Sequence, residues 1–138
     1  MTAEEKVLEK LRNVLIADSD INGYVEGRVY LDHPSTIGEP KYPAISFSMI
    51  QSAADVSVPT QSSIEIQIDI WLDSTGYSSQ DLLILHRKIR SLLHRANLSD
   101  TTLDLLAQMT LEVLVGPVMY EEDTKLLHLP LRYRVVAI

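Results

Sequence analysis

The fold of this chain is decided by residues 64–73, which read Ile-Glu-Ile-Gln-Ile-Asp-Ile-Trp-Leu-Asp. Every second residue is aliphatic, which is the two-residue period of a β-strand with one buried face. A shift of one residue in register would bury Glu65, Asp69 and Asp73, so burial fixes the register. The stretch therefore predicts a long strand in a sheet with one packed and one polar face, as is typical of antiparallel sheets.

Further strand patterns surround this stretch on both sides. They cover residues 24–31, 44–51, 110–120 and 126–138. The third is interrupted at Gly116-Pro117, which predicts a break or bulge there. The fourth contains Pro130, which has no amide hydrogen to donate and therefore predicts an edge strand or a bulge.

Two helices are predicted from aliphatic side chains at a 3.6-residue spacing. The first follows Thr2, whose spacing to Glu5 is typical of a capping box, and turn-forming residues 18–23 end it. The second begins at Ser78 or Ser79 and ends near Asn97.

The order of these elements is α-β-β-β-α-β-β, without the regular alternation of a doubly wound parallel sheet. We therefore predict an α+β fold, with a mostly antiparallel β-sheet and two α-helices packed on one face. At 138 residues, the chain has the length of a single domain, residues 1–138.

Composition excludes several classes of function. The chain has no cysteine, so it can form neither a disulfide framework nor a cysteine-ligated zinc site. Its net charge of −7, from 12 basic and 19 acidic residues, argues against nucleic acid or an anionic membrane as the main partner. No apolar run approaches the roughly 20 residues of a membrane span.

Catalytic and cofactor motifs are also missing from the sequence. The five glycines lie too far apart for a phosphate-binding loop or a dinucleotide fingerprint. His86, Arg90 and His94 follow one side of the second helix, but two histidines separated by eight residues are too distant to share one metal ion. We interpret them as a solvated or interface face, and we predict no catalytic, metal or cofactor-binding residue and no enzyme activity.

Two charged surfaces are candidates for contact between copies of the chain. The polar side of the alternating strand carries an acidic strip and the only tryptophan, namely Glu65, Asp69, Trp71 and Asp73. The second helix carries a basic strip, namely Arg87, Lys88, Arg90 and Arg95. Opposite charges could pair across a subunit interface, although both strips would equally serve as solvated faces.

Residues 52–63 predict a long exposed hairpin loop, because they are small, nearly uncharged and contain a proline. Its candidate contact residues are Ala53, Ala54, Asp55, Val56, Val58, Pro59 and Thr60. Hairpin loops of this length are usually functional or mobile, which favours a role in docking.

Several stretches resemble the tail terminator, or tail completion, proteins of long-tailed bacteriophages. After the first helix comes Gly27-Arg28-Val29-Tyr30, and Lys41-Tyr42-Pro43-Ala44-Ile45-Ser46 is similar to the family's YP-x-I pattern. The alternating strand ends in Trp71-Leu72-Asp73, and the next helix follows Gly76-Tyr77. A closing strand over residues 129–136, with Arg132 and Arg134, completes a resemblance that covers most of the chain.

This resemblance implies a structural, non-enzymatic protein of the virion tail or neck, assembled in the host cytoplasm. Proteins of this family are expected to form a hexameric ring that caps the head-proximal end of the tail tube, stops its elongation and joins the tail to the head connector. The implied partners are other copies of the chain, the tail tube protein and a head-completion or connector protein. DNA passes through such a ring without being specifically bound, and no membrane or cofactor is implied.

Two alternatives remain at the level of sequence. The chain could be another neck, connector-stopper, sheath-associated or baseplate subunit, because small α+β folds recur in these parts and fold does not fix function. It could also be a small cytoplasmic ligand-binding domain or enzyme, which would need a concave pocket with converging polar groups.

Overall fold

The computed structural model describes residues 2–31, 40–54 and 62–137. The helices are α1 (Ala3–Ala17), α2 (Ser19–Val25) and α3 (Ser79–Leu93), and a 3-10 turn spans Thr101–Leu103. The strands are β1 (Val29–Tyr30), β2 (Ala44–Ala54), β3 (Ser62–Asp73), β4 (Met109–Val115), β5 (Met119–Glu121) and β6 (Leu126–Ala137).

The strands form one mostly antiparallel sheet, in the order β1-β2-β3-β6-β4, with β5 also paired to β6. Only the short β1 runs parallel to its neighbour, β2. The long alternating strand β3 is central and pairs along its whole length with β6. The predicted α+β class is confirmed, with more elements than the sequence pattern indicated.

The core lies between one face of this sheet and the helices. Ile64, Ile66, Ile68, Ile70 and Leu72 are all fully buried. Their partners on β6 are Val135, Tyr133, Leu131, Leu129 and Leu127, which are buried on the same face. Helix residues of all three helices join the same cluster, among them Leu11, Ile21 and Leu85. Each buried aliphatic side chain of this size contributes about 1.5–3 kcal/mol relative to exposure.

Both predicted helix starts are confirmed. The Thr2 hydroxyl accepts a hydrogen bond from the Glu5 amide at 3.2 Å, and the Asp81 carboxylate accepts one from the Ser78 amide at 2.8 Å. The latter bond holds the pKa of Asp81 below its usual value. Helix α3 ends at Leu93, before the predicted Asn97, because the Arg95 amide donates to the Thr110 carbonyl and draws the chain onto β4.

Helix α2 replaces a predicted turn and part of a predicted strand. The Asp18 carboxylate accepts from the amides of Asp20 and Ile21, each at 3.0 Å, and so caps the helix. Ile21 and Val25 lie one turn apart and are fully buried. Their burial outweighs the turn preference of the Asn-Gly pair between them, and the strand expected over residues 24–31 is reduced to β1.

The predicted hairpin loop over residues 52–63 was too long. Ser52, Ala53 and Ala54 belong to β2, where Ala53 pairs with Ser63 and Ala54 with Ser62. Small side chains leave no periodic signal there, yet their main-chain groups complete the ladder as well as any others. The remaining loop candidates, Asp55, Val56, Val58, Pro59 and Thr60, lie outside the described residues.

Pro130 was expected at an edge or a bulge but lies in β6, which has neighbours on both sides. It faces Asp69 of β3 on one side. On the other side of β6, the pairing with β4 ends at Val115, which lies opposite Leu131. The pairing with β5 begins at Met119, which lies opposite His128. The proline therefore occupies the gap where β6 changes partner, a position at which the ladder requires no amide hydrogen. The break predicted at Gly116-Pro117 is confirmed as this gap.

Candidate assembly interface

The polar face of β3 is covered by side chains of its neighbouring strands. Glu65 is only 8% exposed, and its carboxylate accepts a hydrogen bond from Arg134 of β6 at 2.8 Å. This charge-assisted bond lowers the pKa of Glu65 below its usual value. The first carboxylate of the acidic strip therefore already has a cationic partner within the chain.

A second group on the same face joins three strands. Asp69 lies 2.6 Å from Nε2 of His128, whose ring stacks on Trp71 with centroids 3.9 Å apart and planes inclined by 5°. The Trp71 indole N–H donates to the hydroxyl of Ser46 on β2 at 2.9 Å. Trp71 is 3% exposed, so this polar face is closed by its own contacts instead of being broadly solvated. Asp73, beyond this network, accepts from the Thr75 amide and caps the turn that leads to α3.

Three residues of the basic strip, Arg87, Lys88 and Arg90, lie on α3, on the opposite side of the sheet. Arg95 was predicted on the same helix but follows its end at Leu93, because its amide bonds to Thr110 of β4. Lys88 pairs with Asp20 of α2 at 2.8 Å, and this hydrogen bond raises the pKa of Lys88. Arg90 pairs with Glu112 of β4 at 3.1 Å. Arg87 and Arg95 are exposed, and neither side chain has an ion pair with any residue in the described parts of the chain. These two arginines are the members of the strip whose charge is available to a partner.

Glu112 is the residue that sequence reasoning missed. Its carboxylate accepts a hydrogen bond from the Tyr133 hydroxyl at 2.6 Å and one from the Arg90 guanidinium at 3.1 Å. The same carboxylate lies 3.1 Å from the His86 ring, and the Glu112 amide donates to the His94 ring. Burial and the Glu112 carboxylate together raise the pKa of Tyr133. These contacts hold α3 against β4. In the sequence, the only indication of the cluster was a single glutamate in an otherwise apolar strand.

An apolar edge lies at the end of the sheet beside this cluster. Exposed large hydrophobic side chains are concentrated over residues 109–120, and the residues concerned are Met109, Val113, Leu114, Val115, Val118, Met119 and Tyr120. Exposed apolar side chains concentrated in one segment are common at interaction surfaces.

A groove of about 430 Å³ lies between α1 and β1, lined by Glu5, Leu8, Glu9, Arg12, Val29 and Leu31. The described residues that line it supply two carboxylates and a guanidinium, and among them there is no pair of nucleophile and base. Within the described ranges, no three histidine, cysteine or acidic side chains converge as a metal site would require. No helix in those ranges is both long and apolar enough to cross a membrane.

The structure therefore separates the predicted site residues into two groups. On the polar face of the sheet, Asp69 and Trp71 are joined through His128, and Glu65 pairs separately with Arg134. The four basic residues lie on the helix side. Pairing between these two faces within one molecule is impossible, so any such contact requires a second copy. That pairing stays a prediction, as does the role of the loop.

A family model for the tail completion protein gp17 matches residues 9–137. The chain belongs to this family. The match spans the fold from α1 to the end of β6 and confirms the resemblance drawn from the sequence. The chain is accordingly a structural protein of a phage-type tail, located in the tail and neck region of the virion.

A comparison with solved structures agrees on the fold. One matching chain comes from the virion of a native gene transfer agent particle, with a TM-score of 0.71 and 16% sequence identity. The alignment covers 94% of this chain and 92% of the other. No curated protein sequence matches the chain significantly.

Proposed function

We propose that copies of this chain assemble as a closed, hexameric ring on the head-proximal end of the tail tube. The ring stops tube elongation and joins the tail to the head connector, and one domain of residues 1–138 forms each subunit. The observation that carries this proposal is the match to the tail completion family over residues 9–137. The partners are the chain itself, the tail tube protein and a head-completion or connector protein.

A ring requires a heterologous contact, in which one surface of a subunit meets a different surface of the next. The chain offers chemically different surfaces, because the polar face of the sheet and the outer side of α3 point in opposite directions. The charge pairing predicted from the sequence is one candidate for this contact. Since Glu65 and Asp69 have partners within the chain, Arg87 and Arg95 would carry most of the attraction.

The β2–β3 hairpin supports a second contact, with the tube or the ring lumen. Its strands remain paired as far as Ala54 and Ser62, and β6 flanks β3 over the same length, so residues 55–61 connect two strands of a continuous sheet. That segment is uncharged apart from Asp55. Docking to a protein surface is favoured over contact with DNA, because the segment supplies no basic side chain to neutralise phosphate.

Passage of DNA through the ring is consistent with the charge of the chain. Each subunit carries a formal charge of −7, with a sequence pI of about 4.9. A ring of such subunits repels the phosphate backbone overall and leaves the DNA free to slide. We therefore expect no specific DNA binding by the purified protein.

The proposal is tested by deleting the coding sequence from its phage and examining the particles by negative-stain microscopy. We expect tubes of uncontrolled length and unattached heads, with normal particles restored when the intact chain is supplied. Affinity capture with the purified chain should retain the tube protein. Normal tail length together with capture of portal-side proteins alone would indicate a connector-stopper, and unaltered particles would refute a role in tail completion.

A further inference from the structure

The sheet has an open edge at each end. At one end β1 pairs only with Ile45 and Ser46, so residues 47–54 of β2 have a neighbour on one side only within the described ranges. At the other end β4 is paired with β6 and has no strand on its outer side among the described residues, but the Thr110 carbonyl and the Glu112 amide bond to Arg95 and His94, so only residues 113–115 are open. Unpaired main-chain groups along such edges form a template for another strand.

The open stretch of each edge lacks lysine and proline, two of the means by which soluble proteins protect an edge strand. Other means are a bulge, an inward charge or a covering segment, and in β4 the residues that follow α3 cover Thr110 and Glu112. Residues 47–54 contain no charged side chain and no proline. In β4 the only charged residue is Glu112, whose carboxylate is turned inward to Tyr133 and is 3% exposed.

The bulges on these strands point to the same conclusion. Each edge strand has one register shift, between Met49 and Gln51 in β2 and between Glu112 and Leu114 in β4. The extra residues, Ile50 and Val113, are both aliphatic and both 40% exposed. A bulge can itself discourage pairing by twisting the edge away, but these two place exposed apolar side chains there, which a second strand would cover.

Strand direction determines how two copies can meet. From β2 through β3 and β6 to β4, every step is antiparallel, so β4 runs opposite to β2. Two copies placed side by side in the same orientation therefore bring β4 of one antiparallel to β2 of the next. The helix-bearing faces then remain on the same side, as the rotational symmetry of a ring demands.

We propose that β4 of one subunit pairs with residues 47–54 of β2 in the next subunit, forming a sheet that continues from copy to copy. The inference rests on the proposed ring and identifies its contact as main-chain pairing between edges instead of charge pairing between faces. The open part of β4, residues 113–115, is shorter than the open part of β2, residues 47–54, and can pair within it. A two-fold contact between two β4 strands would leave both β2 edges and their exposed Met49 and Ile50 uncovered.

Disulfide trapping tests this contact directly, because the chain has no cysteine of its own. Leu114→Cys is mixed with single cysteine variants at positions 47–54, in purified protein and in assembled tails. Residues opposite each other in an antiparallel pair have Cα atoms about 4.5–5.5 Å apart, within the range of a disulfide. We expect a disulfide-linked dimer with cysteine at one or two of the β2 positions. When both cysteines are placed in one chain, we expect disulfides to link all subunits around the ring.

Lysine substitutions provide a second test. Leu114→Lys and Ile50→Lys add a charge at exposed sites, and each should weaken ring formation by about tenfold or more, because the charge would be buried in the contact. Leu83→Lys is the matched control, since Leu83 is 50% exposed on α3 and away from both edges. Circular dichroism of each monomer establishes that the fold is retained.

The outcomes separate this inference from the proposed function. Rings that form without any β4–β2 linkage, and that tolerate both edge lysines, would overturn the inference and leave the ring in place. Disulfides between two Leu114→Cys chains alone would show a two-fold contact and would also overturn it. If the wild-type chain forms no ring, in solution or on tails, the proposed function fails and the inference fails with it.

Discussion

Replacement of Glu112 by alanine should destabilise the chain more than any other single truncation of a β4 side chain. The carboxylate accepts a 2.6 Å hydrogen bond from Tyr133, which is fully buried, so the substitution leaves a buried hydroxyl without its acceptor. That loss costs about 1–3 kcal/mol. His86 and Arg90 are partly solvated and regain water, so their contacts add only about 0.2–1 kcal/mol each.

We therefore expect the free energy of unfolding of Glu112→Ala to fall by about 2–4 kcal/mol. The measurement is urea denaturation followed by the fluorescence of Trp71, the only tryptophan, and by circular dichroism. Repeating it at two protein concentrations separates folding from association between copies.

A double-mutant cycle assigns the effect to the Tyr133–Glu112 bond. Tyr133→Phe removes the hydroxyl, so the double variant has no orphaned donor and should be more stable than the sum of the single effects by about 1–2 kcal/mol. A coupling energy below about 0.3 kcal/mol would refute the reasoning, because the two residues would then act independently.

Four further predictions concern other parts of the chain. The Thr102 hydroxyl and Lys10 hold the pKa of Asp100 at about 2, so Asp100 stabilises the fold above its unfolded pKa and loses this effect as the pH falls through about 2. Asp100→Asn should therefore differ from wild type in thermal midpoint at pH 7 and converge with it between pH 4 and 2, and a constant difference would contradict this. Trp71→Phe keeps an aromatic ring on His128 but removes the hydrogen-bond donor to Ser46, so the free energy of unfolding measured with urea should fall by about 1 kcal/mol. This loss should not add to the loss caused by Ser46→Ala, because both substitutions remove the same hydrogen bond. Arg87→Glu should lower the ring mass in sedimentation if charges pair between faces, with Arg87→Gln as control, and an unchanged mass would contradict the pairing. Replacing residues 55–61 by a short Gly-Ser linker should preserve the fold by circular dichroism yet abolish head joining in micrographs, and normal joining would show that the segment is dispensable.

Most of the fold could be predicted from side-chain periodicity. The alternation over residues 64–73 and in β6 is read correctly because each isoleucine of β3 has a buried partner in register. Helices α1 and α3 are likewise recoverable from their aliphatic stripes and caps. Helix α2 was missed because its formation depends on the burial of Ile21 and Val25, which only tertiary packing supplies.

The candidate site was less predictable. The sequence indicates which residues carry charge but not which of them meet, and Glu65, Asp69, Lys88 and Arg90 all find partners distant in the chain. Glu112 shows the same limit, since its partners come from α3 and β6. Long-range pairs of this kind leave no local pattern, because the distance between two charges depends on the path of the whole chain.

By itself, the sequence determined the α+β class, the faces of the long strands and the absence of cysteine chemistry, because periodicity and composition are local properties. Only the tertiary structure decided that the polar face is closed by its own contacts, that Pro130 occupies a gap between two partner strands, and that β2 and the end of β4 have no further strand beside them among the described residues. Those features depend on strand order and register, which the chain acquires only when distant segments pack against each other.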